Sequence, residues 1–522
     1  MDKVDVLIAG AGPTGLVLAL WLSHQGVKVA IVDKAAEPDA TSRAMAVQAR
    51  TLELYRQLGL AEETVAAGKR IDAINLWVRG KRKAHLALRA AGARLTPFPF
   101  ILVYPQDRHE RLLIRHLELG GVQVRRPVEL VAFEDRDDYV LARLRDADGG
   151  ERECEARFLC GCDGASSRVR NQLGAGFAGG TYDHVFYVAD VDARGPAADG
   201  EVHLSLETAD FVILLPYTDT GRARLVGTIR ERSREHSREH ERKAREHGPA
   251  SWTFDDVAHR ALSSLGIEVD TVHWFSTYRV HHRVTNHYRS GQVFLLGDAA
   301  HVHSPAGGQG MNTGIGDAVN LAWKLAAVVR REAPDSLLDS YESERIAFAR
   351  KLVDATDRMF TFITAEGNLA DFVRIHIAPM FASVAYGIDT VRELLFRIVS
   401  QITISYHDSP LSVGSAGAIK AGDRLPWVGA DGDRADNHAP LDRIDWQVQV
   451  YGAAGDALRA WCALHGMPIR EFPWSAAHEA AGFVRNAHYL VRPDSHVALC
   501  DPSAGPDAIA RYFRDRAYRR FC

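Results

Sequence analysis

Gly10-Ala11-Gly12-Pro13-Thr14-Gly15 stands between an apolar run, Val4 to Ala9, and a helix-forming stretch, Leu16 to His24. Glycines without Cβ let such a turn close and let a pyrophosphate approach the backbone. The helix start adds unpaired N–H groups and the positive end of its dipole. Asp33 closes the next apolar run, Val27 to Val32, eighteen residues beyond Gly15, and Lys34 follows it. A carboxylate there can accept hydrogen bonds from ribose hydroxyls, and its charge disfavours a 2′-phosphate. The chemistry on offer is dinucleotide binding. Gly174 to Gly179 repeats the glycine pattern but precedes a β-like segment, so it lacks the helix dipole and reads as a loop.

Two further motifs follow, Asp163-Gly164-Ala165-Ser166-Ser167-Arg168-Val169-Arg170 and Gly297-Asp298-Ala299-Ala300-His301. Asp298 follows the apolar run Val293 to Leu296, where a carboxylate can accept from polyol hydroxyls; the alternative is a cap on the next turn. Gly307 to Gly310 leads into a long helical stretch, Asn312 to Arg331, whose N-terminus can stabilise negative charge. His301 and His303 lack a carboxylate or cysteine at ligand spacing, so no metal is expected.

In this order the motifs resemble those of the single-component FAD-dependent aromatic hydroxylases, the p-hydroxybenzoate hydroxylase and phenol hydroxylase-like flavoprotein monooxygenases. The resemblance runs through Pro305-Ala306-Gly307-Gly308-Gln309-Gly310-Met311-Asn312 and the helix bearing Asp317, Asn320, Trp323 and Lys324. It extends more loosely over the last hundred or so residues. It implies bound FAD, transient NADH or NADPH, and dioxygen as co-substrate. A C4a-hydroperoxyflavin would then hydroxylate a small aromatic, phenolic substrate. Gly10, Gly12, Pro13, Thr14, Gly15, Asp33 and Lys34 would hold the nucleotide, and Asp163 would serve both FAD and the nicotinamide donor. Gly297 and Asp298 would hold the ribityl chain, and Gly308, Gln309, Gly310, Met311 and Asn312 the ring. Arg43 and Gln106 match flavin contacts of the family. The Pro305 carbonyl would lie near the reactive flavin edge. Tyr217, Tyr278, His281, His282 and Arg283 are candidate active-site groups, because the family lines its active site from these segments and phenol or imidazole can relay protons.

Two departures stand out. Asp33 replaces the glutamate common in relatives, and Met45 occupies a place where an acidic group would deprotonate the substrate, so substrate activation has no assigned residue. The alternatives are a flavin oxidoreductase of the same fold with non-hydroxylating chemistry, or a flavin-binding scaffold or sensor. The Trp-x-Trp-x-Ile-Pro signature of flavin halogenases is absent.

These residues need elements to position them. Strand, glycine turn, helix and strand within the first 32 residues form a βαβ unit, and the fold class is α/β. The expected architecture is a Rossmann-type FAD-binding domain from 1–75, 105–180 and 280–400, with helical extension. A mixed-sheet substrate domain from 76–104 and 181–279 is inserted in it, and 405–522 forms a thioredoxin-like domain without Cys-x-x-Cys. Residues 410–437, rich in Gly, Pro and Asp, read as a linker.

A chain of 522 residues with 46% hydrophobic and 25% charged residues exceeds one ordinary core and is globular in composition. A net charge of -4 offers no field for nucleic acid. The mixed-sign run Arg230 to His247, with seven basic and five acidic residues, reads as a solvated helix. Six cysteines without paired spacing fit a reducing cytosol, and the absence of a long apolar stretch argues against a membrane span. Monomer and homodimer both remain open.

Overall fold

Val6, Leu7 and Ile8 are fully buried because the strand Asp2–Ala9 runs through the middle of a parallel sheet. It pairs with Val29–Val32 on one side and Glu151–Gly161 on the other, and helix Pro13–His24 makes the crossover. The computed structural model describes residues 2–521 apart from 39–43, 79, 207–210, 219–220, 230–252, 255–258, 304–307, 365–388, 430–435 and 504. Arg43, Pro305 and the charged run 230–247 therefore lie outside the described residues.

The first sheet has eight strands. Val293–Leu295 adds beside Glu151–Gly161 in parallel, Val124–Arg125 beside Val29–Val32, and Tyr139–Asp146 with Val128–Arg136 forms an antiparallel flap on Glu151–Gly161. The ends of Asp2–Ala9, Glu151–Gly161 and Val293–Leu295 thus meet on one edge, each followed by one of the three motifs. Helix Gly310–Val329 packs on Pro13–His24, and Leu16, Leu18, Trp21, Leu321, Trp323 and Leu325 are almost wholly buried. Each such side chain contributes roughly 1.5–3 kcal/mol by leaving water.

A second, mixed sheet also has eight strands, in the order His301–Val302, Glu268–Thr285, Phe177–Arg194, Arg222–Ile229, Phe211–Pro216, Val202–Leu206, Ala73–Val78, Lys81–Ala87. All neighbours are antiparallel except Val202–Leu206 with Ala73–Val78. The chain crosses into it at Ala73, three residues earlier than composition indicated. Alternation divides its faces. Tyr187, Ala189, Val191, Val212, Leu214 and Leu225 pack under helix His259–Leu265. Ile74, Val202, Ile213 and Leu215 pack instead with Met45, Ile71 and Val103, at or beside a three-stranded sheet of Ala46–Val47, Ile101–Val103 and Lys69–Ile71.

The C-terminal strands order as Ile469–Phe472, Gln447–Tyr451, His488–Val491, Val497–Asp501, with one parallel and two antiparallel pairings. Ile469–Phe472 was not anticipated. Nor do residues 410–429 behave as a linker: Leu411 and Leu425 are buried, Ser415–Ala416 pairs with Ile419–Lys420, and Val413 and Arg424 bridge to Leu499 and His496. The Gly and Asp content encodes tight turns in a packed segment, as at Gly414 with φ +82°.

This end is locked to helix Gly310–Val329 through Glu344 of helix Asp339–Thr364. Its carboxylate accepts from Lys324 at 2.8 Å, Asn320 at 2.6 Å, Ser409 at 2.6 Å and both terminal nitrogens of Arg492 at 2.7 and 3.0 Å. Burial opposes its charge, but Arg492 and Lys324 outweigh burial and hold the carboxyl below its usual range.

Candidate active site

Gly10 adopts φ +104°, and a Cβ there would overlap the Cys162 carbonyl, so the first motif touches the second at backbone distance. A Cβ on Gly15 would run into the Gly10 carbonyl. At Gly297 a Cβ would stand 2.7 Å from Thr14 Oγ1, and one at Gly314 would also overlap that hydroxyl. Three separated stretches therefore converge on the start of helix Pro13–His24. Gly12 differs: its φ is −77° and a Cβ there would meet no atom of the described residues within 4 Å. The open side of the turn is where a pyrophosphate would approach.

Asp33 accepts from the Ala11 N–H at 2.7 Å through Oδ2 and from the Ala35 N–H at 2.8 Å through Oδ1. A carboxylate retains lone pairs beyond these two bonds, enough for ribose hydroxyls. Lys34 beside it is exposed. Arg126, which the motif reading missed, pairs with Asp33 at 3.4 Å and donates to the Ala11 carbonyl at 3.0 Å, tying strand end to glycine turn. Nothing local in the sequence marked it, because its partners lie more than ninety residues away.

Asp163 accepts through Oδ2 from Arg168 N–H at 2.7 Å and Val169 N–H at 3.2 Å, which fixes the loop. Its Oδ1 is buried without a partner among the described residues, an acceptor a ligand hydroxyl would satisfy. Arg170 links this motif to the third by donating to Ala299 O at 2.9 Å and Ala165 O at 2.7 Å. Asp298 sits exposed on the single turn Gly297–Ala299. Behind it, buried Asp317 accepts from Gly297 N–H at 3.0 Å and faces His301 Nε2 at 2.8 Å, while Arg345 holds its other oxygen at 2.6 Å. Burial works against that charge, but Arg345 and His301 keep the Asp317 carboxyl below its usual range. His301 is thereby committed to Asp317, and no metal-binding cluster occurs among the described residues.

At the helix Gly310–Val329, Gln309 precedes the first turn and Met311 packs on the core. Asn312 spends its amide on protein: Oδ1 accepts from Gln48 N–H at 3.0 Å and Thr51 Oγ1 at 2.8 Å, and Nδ2 donates to Ala46 O at 2.8 Å and Gly308 O at 3.0 Å. Gln106 opens helix Gln106–Leu119 and accepts from Ala44 N–H at 3.2 Å.

Of the candidate active-site groups, Tyr278, His281, His282 and Arg283 lie on strand Glu268–Thr285 of the second sheet, and Tyr217 directly follows its strand Phe211–Pro216. Tyr278 stacks on Phe186 at 5.8 Å, and Phe186 meets Phe211 edge-on. His281 is exposed, paired with Thr181 Oγ1 at 2.7 Å, and burial and Arg283 lower its pKa. Arg283 pairs in the sheet with Val302 and has a buried Nε without a partner among the described residues. Tyr217 donates to Asp190 at 2.7 Å, and Arg224 clamps the same carboxylate. Asp190 and Arg224 escaped the motif reading, although a charge inside Phe186-Tyr187-Val188-Ala189-Asp190-Val191 was a visible signal.

The residues present fit FAD: an unobstructed glycine turn, a ribose acceptor at a strand end, an orphan buried carboxylate oxygen and a glycine-led helix N-terminus on the same sheet edge. Comparison with known proteins agrees. The family model described as FAD binding domain matches residues 3–356. The chain is 34% identical to 6-methylpretetramide 4-monooxygenase of Streptomyces rimosus, over 97% of this chain and 92% of that protein. It is 32% identical to pentachlorophenol 4-monooxygenase of Sphingobium chlorophenolicum, over 81% and 75%. The structure of OxyS anhydrotetracycline hydroxylase from Streptomyces rimosus superposes with TM-score 0.75 at 27% identity, covering 98% of both chains. The chain belongs to the FAD-dependent aromatic hydroxylases, and it is a flavoprotein monooxygenase.

Proposed function

We propose that the enzyme hydroxylates an electron-rich phenolic ring of the tetracycline or chlorophenol type, the substrates for which its relatives are named. The observation that supports this is the aromatic face of the second sheet. Phe186, Phe211, Tyr278 and Trp274 lie with the apolar Ile213 and Leu215 on the side that packs toward Met45. Met45 precedes Ala46, whose Cβ lies 2.9 Å from where a Cβ on Gly308 would stand, so that face and the glycine-rich loop are neighbours.

In this reading residues 1–75, 105–180 and 280–400 hold FAD, 76–104 and 181–279 hold substrate, and 405–522 is a thioredoxin-like unit without Cys-x-x-Cys. The strand order and the helices Asp456–Leu464 and Asp507–Asp515 support the last assignment. FAD, reduced by NADH or NADPH, supplies the activation of dioxygen. The protein's own part is to bind and orient. The Gly10–Gly15 turn and helix dipole hold the pyrophosphate, Asp33 the ribose, and Asp298 the ribityl hydroxyls. Gly308 to Asn312, at a helix N-terminus, stabilise negative charge on the ring. The aromatic face would exclude water and orient the substrate ring. Arg43 and Pro305 keep their expected roles of flavin contact and carbonyl at the flavin edge, and Tyr278, His281 and Arg283 their place in the lining.

The test is oxygen uptake and NADH or NADPH oxidation by the yellow holoprotein across a panel of phenols. Substrate-stimulated oxidation with a product heavier by one oxygen atom is expected. Oxidation that no phenol accelerates, with no hydroxylated product, would sink the proposal.

A further inference from the structure

A cavity of about 280 Å³ lies where the helices Ala49–Arg56 and Ala61–Ala67 meet the short turn Ala439–Arg443 of the C-terminal part. Its volume suits a small molecule. Among the described residues, none assigned above to FAD or to the aromatic face borders it.

Two buried side chains in its wall hold acceptors without donors. Gln57 is 4% exposed and spends both N–H groups of its amide on the Leu441 and Pro493 carbonyls, at 3.0 Å each. Those bonds fix which way the amide faces, so the remaining atom is the oxygen, and Oε1 has no partner among the described residues. His438 is 5% exposed, and its Nε2 lies 3.0 Å from the Leu425 carbonyl oxygen. A carbonyl only accepts, so Nε2 carries the ring proton. Nδ1 then keeps a lone pair that meets no donor among the described residues. Burial holds this imidazole down to about 4, which leaves it neutral. A buried acceptor left empty is costly, and two in one cavity point to an occupant that brings donors.

The charges around the cavity point the same way. Glu53 in its wall is saturated by Arg50, Arg424 and Thr96. Arg56 is balanced by Asp436 at 2.6 Å. Glu62 and Asp442, both exposed, meet no cation among the described residues. Two uncompensated negative charges thus border the same space as two empty acceptors, a setting that repels an anion and attracts a cation.

We propose that this cavity binds a small organic ammonium ion, whose N–H groups donate to Gln57 Oε1 and His438 Nδ1 and whose charge is met by Glu62 and Asp442. The wall comes from the N-terminal helices and from the C-terminal part, so an occupant bridges the two. The site is independent of the hydroxylation reaction.

The test is isothermal titration calorimetry of the FAD-loaded full chain in phosphate buffer, with butane-1,4-diammonium as the probe. One equivalent should bind with a Kd below about 1 mM. Tetramethylammonium is a cation without an N–H, and butane-1,4-diol donates without a charge; each should bind at least about tenfold more weakly. Ala439→Trp fills the cavity from an exposed position and should abolish binding in a protein that still holds FAD. The Glu62→Gln/Asp442→Asn double variant changes only exposed groups and should weaken binding about fivefold or more. A wild type that binds no diammonium overturns the proposal, since the acceptors are then met by water alone. Equal binding of either control overturns it too, as does an affinity that survives Ala439→Trp or the double variant.

Discussion

Gly12 and Gly15 sit in one turn, yet the structure asks different things of them. A methyl at Gly12 meets no protein, so Gly12→Ala should leave the flavin-free protein within about 1 kcal/mol of wild type while weakening FAD binding tenfold or more. Gly15→Ala drives a methyl into the Gly10 carbonyl and should lower the stability of the flavin-free protein by about 1–3 kcal/mol. Chemical denaturation and FAD titration of both variants separate the two effects. A second residue-scale outcome concerns acid. Tyr55 OH lies 2.8 Å from Nε2 of buried His109, and burial holds that histidine down to about 4. Its folded pKa lies below the ordinary 6.5, so as pH falls between these values the unfolded chain takes up a proton the folded one refuses, and stability drops. The loss reaches about 3 kcal/mol by pH 4. His438, also held to about 4 by burial, adds in the same window. Glu53 is held to about 2: burial opposes its charge, but Arg424 and Arg50 outweigh it, and its stability is lost only below the ordinary 4.5. Urea denaturation between pH 7 and 4 should show His109→Asn with the shallower decline; equal slopes would contradict the assignment.

The helix Gly310–Val329 shows how an element positions a site. Its third residue, Asn312, joins the helix to Ala46, Gln48, Thr51 and Gly308, so the glycine-rich loop is stitched to the strand Ala46–Val47. Asn312→Ala leaves buried partners unpaired, each worth about 1–3 kcal/mol. FAD should bind at least tenfold more weakly while far-ultraviolet circular dichroism stays that of wild type; unchanged affinity would show the loop to be held by other means. Asn312 also marks the limit of what was legible. Gly10, Gly12, Asp33 and the strand–turn–helix around them are readable because their requirement is local: backbone space, a dipole, a strand end. The first βαβ unit was likewise visible as periodicity, and the chain's departure into another sheet as its loss, expected over 76–104 where the strands that join that sheet are Ala73–Val78 and Lys81–Ala87. The partners of Asn312, Arg126 and Asp190 are distant in the chain, and nothing in composition or spacing reveals which carboxylate an arginine will meet. The segment 410–429 was misread because turn residues look alike in a loose connection and in a tightly folded one.

Across the whole molecule, the C-terminal part and the helix Gly310–Val329 that packs beside the first sheet share the buried hub at Glu344. Glu344→Ala strands buried Lys324 without a counter-charge, leaves Arg492 with Asp494 alone, and should cost about 3–5 kcal/mol. Glu344→Gln, which keeps the shape and part of the hydrogen bonding, should cost less. Because the hub spans both parts, calorimetry is expected to show one transition shifted downward; two separated transitions in the wild type would mean the parts unfold independently. The glycine-rich cradle lies at the edge of one sheet, whereas the aromatic face with Asp190 lies on another. Laboratory evolution can exploit that division: randomising positions such as Ile213, Leu215 and Tyr278 changes which molecules are accepted without rebuilding the apparatus that loads the flavin, so a small library should yield new scopes among variants that still purify yellow.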